Sequence, residues 1–473
     1  LCPNESFTTP EVVMVYSDEG FNGMSNIYHK FYRERLLRGK FRDMERPVLI
    51  NNWEATYFNF TEDKLGAIGK AAGEIGLELF VLDDGWFGVR NNDKSGLGDW
   101  FVNKDKLSHG LSKVAQDMAK ENLQFGLWFE PEMVSLDSDL YRAHPNWALH
   151  TPGHSRTTGR NQLVLDYSRR DVQDYIIEAV GKILRDNPIT YVKWDMNRNM
   201  TEVNSELLSI DRQGEVTHRY MLGLYRVMRK LTDEFTEVLF ESCAGGGGRF
   251  DPGMLYYMPQ TWTSDDTDAQ ERLAIQYGTS FAYPPITMGA HVSVSPNHQV
   301  GRATTLERRG FTSMMTNLGY ELDLSLLSQD EKSEVKAQVA YYKSIRRDIQ
   351  FGNFYRLLPP GSEHGCAFMT ESEDEKRYYL FYFRGLNRPH MAKYRLPLTY
   401  LTDGDYSVEK ISFGSGGHGV KDANGELVEG HFGDSGFEFE GKVLSASFLN
   451  RFGLTFSNQQ HDFDGQLFVF TKK

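Results

Sequence analysis

The sequence has few cysteines and lacks any long apolar segment. Its 473 residues include three cysteines, Cys2, Cys243 and Cys366, which are far apart and odd in number. Such a set is not a disulfide framework, and its spacing fits no zinc-binding pattern. A reducing compartment is the simpler inference, so we expect a cytoplasmic protein. No run of about 18 apolar residues occurs, which argues against a transmembrane helix.

The chain also has fewer basic residues than acidic residues. The chain has 52 Lys and Arg residues against 65 Asp and Glu residues, which gives a formal net charge of −13. This balance argues against nucleic acid or an anionic membrane as a partner. Hydrophobic residues make up 40% of the chain and charged residues 25%, as in a globular protein. At this length we expect two or three domains.

Tryptophan is absent after Trp262, and this asymmetry indicates two regions with different roles. In the first region, short apolar runs that end in polar or aromatic residues alternate with helical patterns. The predicted strands are 46–53, 77–86, 124–132, 163–168, 191–197, 237–246, 258–266 and 281–293. The predicted helices are 61–75, 111–121, 171–185, 221–235 and 303–317.

Alternation of strands and helices over about 300 residues predicts a parallel sheet. An open doubly wound sheet and a (β/α)₈ barrel both fit this pattern. Polar and aromatic residues follow nearly every predicted strand rather than one switch point, which favours the barrel. We therefore predict an α/β fold with a TIM barrel over residues 43–348.

The C-terminal region, residues 349–473, has short alternating runs separated by glycine-rich turns, which predict an antiparallel β-sandwich. Its predicted strands are 378–383, 437–439, 443–448 and 467–471, with a glycine-rich turn at 414–419. At the other end, residues 1–42 are predicted to form a short β-like piece and a helix at 24–37.

The segment 191–198 (YVKWDMNR) reads as a strand that ends in reactive groups. Side chains alternate along a strand, so Lys193, Asp195 and Asn197 should share one face. A cation so close lowers the pKa of a carboxylate, and we expect Lys193 to keep Asp195 ionised. An ionised, oriented carboxylate suits a nucleophile, although a purely structural ion pair fits the same pattern.

The predicted strand ends are rich in carboxylates and indoles and poor in histidine. Ser-His-Asp chemistry and histidine-based metal sites are therefore poor fits. Carboxylates accept hydrogen bonds from sugar hydroxyls, and indole rings pack on the apolar face of a pyranose, so the pattern favours a sugar pocket. Prominent among these side chains are Asp83, Asp84, Glu130, Glu132, Asp195, Glu241, Asp265, Asp266, Trp53, Trp128 and Trp262.

Cleavage of a glycosidic bond needs one ionised and one protonated carboxyl group. Asp195 suits the ionised role. Asp265 suits the protonated role, because the neighbouring charge of Asp266 should raise its pKa. Glu130 and Glu132 also follow a predicted strand, and they remain an alternative pair.

Two further motifs stand at strand ends. Asp83 and Asp84 can reach one ligand only if their strand ends there, and they would bind sugar hydroxyls, bind a divalent metal or merely cap a turn. Cys243 precedes four consecutive glycines, which let a ligand approach the backbone closely. A cysteine in such a place is a small buried hydrophobe, and it would also line the floor of a pocket.

Several of these segments resemble the microbial α-galactosidases of glycoside hydrolase family 36. They are 83–88 (DDGWFG), 126–134 (GLWFEPEMV), 193–198 (KWDMNR), 241–247 (ESCAGGG) and 262–268 (WTSDDTD), with support from 51–57 (NNWEATY) and 288–299 (MGAHVSVSPNHQ). The resemblance implies a retaining exo-α-galactosidase on a TIM barrel. Such an enzyme removes terminal galactose from melibiose- or raffinose-type α-galactosides and needs no cofactor or metal.

The resemblance also assigns roles to residues. Asp195 would be the nucleophile and Asp265 the acid/base. The residues that would bind galactose are Trp53, Asp83, Asp84, Trp128, Arg160, Lys193, Asn197, Cys243, Gly245 and Trp262. Family members carry a large N-terminal β-supersandwich that contributes to a homotetramer, and residues 1–42 would hold only its last strand and a linker helix.

Four alternatives stay open at this point. A galactosyl transferase of the raffinose-synthase type shares the first half-reaction, and an α-N-acetylgalactosaminidase would need more room near Cys243. A non-catalytic galactoside-binding protein would lack a catalytic carboxylate. A metal-dependent lyase or aldolase would use the aspartate clusters on the same fold.

Overall fold

The computed structural model describes residues 3–389, 393–413, 439, 441–456 and 462–473. The strands up to residue 352 are β1 (Leu49–Asn51), β2 (Leu79–Leu82), β3 (Gln124–Phe129), β4 (Met133–Ser135), β5 (Gln162–Val164), β6 (Tyr191–Trp194), β7 (Leu239–Ser242), β8 (Gln260–Trp262), β9 (Met288–Ser293) and β10 (Asn317–Glu321). The helices of the same region are α1 (Gly20–Phe31), α2 (Trp53–Thr56), α3 (Glu62–Ile75), α4 (Leu111–Lys120), α5 (Asp139–Ala143), α6 (Arg170–Asp186), α7 (Val216–Glu234), α8 (Pro252–Tyr257), α9 (Glu271–Thr279), α10 (Leu306–Met314) and α11 (Gln329–Phe351).

Eight parallel strands close into a barrel, in the order β1, β10, β9, β8, β7, β6, β3 and β2. The strands are buried on both faces, because side chains fill the barrel interior and helices cover its outside. The predicted TIM barrel is therefore confirmed. The predicted helix at 61–75 is present as α3, where Thr61 Oγ1 accepts a hydrogen bond from Lys64 N at 3.4 Å and caps the first turn.

One predicted barrel strand was wrong. β5 covers the start of the predicted strand at 163–168, but it pairs antiparallel with β4 in a small separate sheet. The missing barrel strand is β10, in which Leu318 and Tyr320 alternate with polar or small residues. The predicted helix at 303–317 overlapped its start, because no glycine or proline separates α10 from β10 in the sequence.

The C-terminal region is antiparallel, as predicted. Its elements are β11 (Asn353–Ser362), β12 (Gly365–Glu371), β13 (Arg377–Phe383), β14 (Tyr394–Leu396), β15 (Asp405–Ile411), β16 (Val443–Ser445), α12 (Ala446–Arg451), β17 (Leu454–Phe456) and β18 (Gly465–Lys472). A six-stranded sheet has the order β11, β12, β13, β18, β15, β16, and β14 pairs with β17 in a second sheet. One face of β13 packs on the barrel core, whereas the other face packs on a core shared with β14 and β17.

Some predicted elements of this region differ or are not described. The predicted strand at 443–448 ends early, because Ser445 Oγ accepts a hydrogen bond from Phe448 N and begins α12. The predicted turn at 414–419 and residues 437–438 of a predicted strand lie outside the described residues.

The N-terminal segment has a helix but, in its described residues 3–19, no strand. The predicted β-like piece was therefore wrong, whereas α1 and a π-helical turn (Tyr32–Leu36) cover the predicted helix. Asn22 and Asn26 of α1 bond the backbone of β11, which ties this helix to the C-terminal sheet. The domain boundaries at 42/43 and 348/349 stay predictions. Of the helices in the described ranges, none has the length and apolar composition required to span a bilayer.

Candidate active site

A cavity of about 170 Å³ opens at the carboxyl ends of the barrel strands. This is the end of a TIM barrel at which active sites occur. Every predicted site residue except Cys243 and Gly245 lines it. The lining residues are Trp53, Glu54, Asp83, Asp84, Trp128, Arg160, Lys193, Asp195, Asn197, Trp262, Asp265, Thr267, His298, Gln299 and Glu321.

Asp195 follows β6 and is almost fully buried in the cavity floor. Its Oδ2 accepts hydrogen bonds from Trp128 Nε1 at 3.2 Å and from Asn197 Nδ2 at 2.6 Å. Its Oδ1 accepts hydrogen bonds from the backbone N–H groups of Met196 at 2.8 Å and Gly245 at 3.4 Å. Four donors around one carboxyl group fix its orientation.

Lys193, Asp195 and Asn197 line the same cavity, as their predicted shared face required, but the direct ion-pair partner of Lys193 is not Asp195. Lys193 Nζ instead lies 2.9 Å from Asp83 Oδ2, and both side chains are buried. Burial acts to lower the pKa of Lys193, but Asp83 and other acidic neighbours outweigh it and raise this pKa well above its usual value. Asp195 is one of these acidic neighbours, so the predicted charge interaction is present although Asp195 and Lys193 form no direct ion pair.

β2 ends at Leu82, so Asp83 and Asp84 both line the cavity. This is the strand end that was predicted to be necessary for both carboxylates to reach one ligand. Asp84 forms a two-pronged ion pair with Arg90, whose Nε and Nη2 lie 3.0 and 2.9 Å from Oδ1 and Oδ2. Each aspartate thus has its own cation and still presents oxygen atoms to the cavity. Within the described ranges, no group of three or more His, Cys, Asp or Glu side chains is arranged to hold a metal ion.

Asp265 stands exposed at the mouth of the cavity, just after β8, where Trp262 Nε1 donates to its Oδ1 at 3.0 Å. Partial desolvation by the surrounding walls, followed by the charge of Asp195, raises its pKa. The predicted direction holds, but the predicted cause was wrong. Asp266 turns into its own loop instead, where its Oδ1 accepts a hydrogen bond from Asp268 N at 2.9 Å.

The alternative pair, Glu130 and Glu132, does not line the cavity. Glu132 is bound by Arg249 at 2.7 Å and is wholly buried. Glu130 Oε1 accepts hydrogen bonds from Gln162 Nε2 and Asn197 N. Burial, followed by the charge of Asp195, raises the pKa of Glu130 to about 8. These two glutamates therefore support the walls around Asp195.

Two family models match this chain, one over the barrel region and one over the C-terminal region. The melibiase family model matches residues 6–352, and the model of the glycosyl hydrolase family 36 C-terminal domain matches residues 365–470. The chain belongs to the melibiase family. Alpha-galactosidase AgaA of Geobacillus stearothermophilus is 59% identical to this melibiase-family chain over 417 residues, which are 87% of the chain and 56% of AgaA.

Two solved structures of substituted forms of AgaA are similar to this chain at 52% identity. One is a complex with raffinose, has a TM-score of 0.89 and covers 97% of this chain and 60% of its own. The other is a complex with stachyose, has a TM-score of 0.92 and covers 100% of this chain and 62% of its own. The chain spans about half the length of the curated relatives it matches.

Cys243 and Gly245 are not among the residues that line the cavity. Cys243 is buried, and its Sγ accepts a hydrogen bond from Gly246 N at 3.3 Å. Gly246 has a φ of 83°, and a Cβ there would lie 2.5 Å from Ser264 Cα, so only glycine fits this close approach. The loop after β7 therefore presents the Gly245 N–H to Asp195.

Some of the residues that line the cavity were not predicted from the sequence. Those not predicted are Glu54, Thr267, His298, Gln299 and Glu321. The first four lie inside segments that carried the family resemblance, so each segment pointed to the site. Glu321 ends β10, the overlooked strand, and its Oε2 lies 2.8 Å from His291 Nδ1.

The buried pair of Lys193 and Asp83 should also stabilise this melibiase-family fold. We expect Lys193→Met to lower the free energy of unfolding by about 3 kcal/mol, because it leaves the Asp83 carboxylate buried without its cation. Lys182→Met is the matched control, because Lys182 and Asp186 form an exposed pair on α6. This control should change stability by less than about 1 kcal/mol. Denaturant unfolding measures both values, and equal losses would contradict the expectation.

Proposed function

We propose that the protein is a retaining exo-α-galactosidase that hydrolyses terminal α-galactosides such as melibiose and raffinose by double displacement. One observation carries the proposal: Asp195 and Asp265 line the same cavity in different settings. Asp195 is buried and held by four donors, whereas Asp265 stands at the mouth with a raised pKa. Different environments for two carboxyl groups are what an acid and a nucleophile require.

In the first step, an Asp195 oxygen attacks the anomeric carbon, while Asp265 gives its proton to the glycosidic oxygen. The bond to the leaving sugar breaks, and a galactosyl ester of Asp195 remains. In the second step, Asp265 takes a proton from water as that water attacks the anomeric carbon. The ester bond breaks, and galactose leaves with the same configuration that it had in the substrate.

The charge of Asp195 gives Asp265 both of its roles. While Asp195 is ionised, its charge contributes to the raised pKa of Asp265 and favours the acid form. Ester formation removes that charge, so the pKa of Asp265 falls when a base is needed. The same carboxyl group can thus serve as the acid in the first step and as the base in the second.

The remaining lining residues fit a single terminal sugar unit. Asp83 and Asp84 offer acceptors for sugar hydroxyls, and Lys193 and Arg160 offer donors. The walls contain the indole rings of Trp53, Trp128 and Trp262. The interior of the barrel below is filled by a cluster formed by Leu49, Leu79, Val81, Tyr191 and Leu239. The closed floor favours entry of a chain end, which supports exo cleavage.

The test is hydrolysis of melibiose and raffinose followed by proton NMR. The α-anomer of galactose should appear first, and the β-anomer should grow only by mutarotation. Early β-galactose would contradict the double displacement. Full-length AgaA, a named alpha-galactosidase of which this chain spans 56%, serves as the positive control. Products formed at high sugar concentration would identify transfer in place of hydrolysis.

A further inference from the structure

Glu54 is a carboxyl group of the cavity wall in which one oxygen has no protein partner. It follows Trp53 on α2, and its side chain is 5% exposed. Its Oε1 accepts a hydrogen bond from Thr267 Oγ1 at 2.7 Å. Nothing in the described part of the chain hydrogen-bonds its Oε2. The His298 Nδ1 atom lies 3.5 Å from Oε2 but is not in hydrogen-bonding geometry.

A buried polar atom without a partner is costly, so folded proteins hold few of them and each calls for an explanation. Glu54 lines the same cavity as Asp195 and Asp265, where a bound sugar would bring hydroxyl groups. We propose that Glu54 is a further substrate-binding residue whose Oε2 hydrogen-bonds a hydroxyl group of the galactosyl unit. This inference rests on the proposed function and adds a contact to it.

The charges around Glu54 favour its neutral form. Glu321 faces it from β10, Asp265 from the loop after β8, Lys193 from β6 and His298 from the loop after β9. Burial, followed by the charge of Glu321, raises the pKa of Glu54 to about 9. Burial lowers the pKa of His298, so this neighbour is uncharged at neutral pH and supplies no cation.

A neutral carboxylic acid has a hydroxyl donor that a carboxylate lacks. Oε1 of Glu54 is the acceptor used by Thr267, which leaves Oε2 to carry the proton and donate it. Asp83 and Asp84 pair with cations and serve as acceptors. Glu54 thus gives the cavity a donor that adds no negative charge.

The experiment measures galactose affinity by titration calorimetry for the wild-type protein, Glu54→Leu and Glu54→Gln. Glu54→Leu removes both oxygens and should weaken binding by about tenfold. Glu54→Gln keeps an acceptor for Thr267 and places an N–H donor at the Oε2 position. It should restore affinity to within about threefold of wild type, as expected for a neutral donor. Equal losses in the two variants would overturn the proposal.

Deoxygalactoses separate direct binding from a structural role. In Glu54→Leu, the affinity penalty for removing one particular hydroxyl should disappear, while the penalties at the other positions remain. If Glu54 only holds Thr267, every penalty remains, which would overturn the proposal. Thr267→Val is the matched control, because it removes the partner of Oε1, leaves Oε2 in place and should keep the full pattern.

Galactose binding requires no turnover, so binding tests the role of Glu54 and hydrolysis tests the proposed function separately. A protein that binds galactose with the expected pattern but hydrolyses no α-galactoside would contradict the proposed function and support the role of Glu54. A wild-type protein that binds no galactose would overturn both. A protein that hydrolyses melibiose while Glu54→Leu binds galactose normally would overturn only the role of Glu54.

Discussion

Asp195→Asn is expected to reduce the hydrolysis of melibiose and raffinose by at least about a thousandfold in kcat. The amide has nearly the same shape and still accepts a hydrogen bond, but it has no negative charge with which to form an ester at the anomeric carbon. The fold should persist, because the neighbouring donors are one side-chain amide, one indole and two backbone N–H groups. Release of galactose, measured with a coupled galactose assay, gives the rate.

Asp186→Asn is the control for this substitution, because Asp186 ends α6 and pairs with Lys182 at the surface. It should keep activity within about twofold, as substitutions on exposed ion pairs have small effects. Thermal unfolding of each variant checks that the fold is intact. Turnover by folded Asp195→Asn above about a tenth of the wild-type rate would rule out Asp195 as the nucleophile.

The barrel could be predicted because its signals are local. Short apolar strands such as β2 and β6 are followed by polar side chains and then by amphipathic helices, and this order repeats along the chain. The prediction failed where two elements join without a breaker, as at the junction between α10 and β10. It also failed at 163–168, where an apolar run forms β5 in a hairpin-like pair outside the barrel. Strand composition alone does not distinguish these two environments.

Which residues line the cavity could be predicted from the sequence more readily than which of them form direct pairs. Asp195, Asp265, Asp83 and Lys193 all line the predicted cavity. Their pairing depends on distances across the barrel, which sequence spacing does not contain. Lys193 is two residues from Asp195 in sequence, yet it binds Asp83, which is 110 residues away. A pattern of neighbours in the sequence therefore identified the reactive groups but misassigned the direct ion-pair partner of Lys193.

Asp265→Ala is expected to slow the hydrolysis of melibiose by about 10²–10⁴-fold, because a sugar leaving group needs a proton from the acid. Formation of the galactosyl ester from p-nitrophenyl α-galactoside should change far less, because nitrophenolate leaves without protonation. Hydrolysis of the galactosyl ester then becomes the slow step, because the base that activates water is missing. A burst of nitrophenol should therefore precede a slow steady rate. Asp266→Asn is the control, because the amide keeps an acceptor oxygen for Asp268 N outside the cavity.

The pH dependence of kcat/KM provides an independent check on Asp265. The raised pKa extends the range over which wild-type Asp265 is protonated, so activity on melibiose should fall as pH rises through that pKa. The alanine variant should lack this fall. Azide needs no base, so it should attack the accumulated ester in Asp265→Ala, restore turnover of the nitrophenyl substrate and give α-galactosyl azide. A variant with the wild-type pH profile and no response to azide would show that Asp265 does not carry the proton.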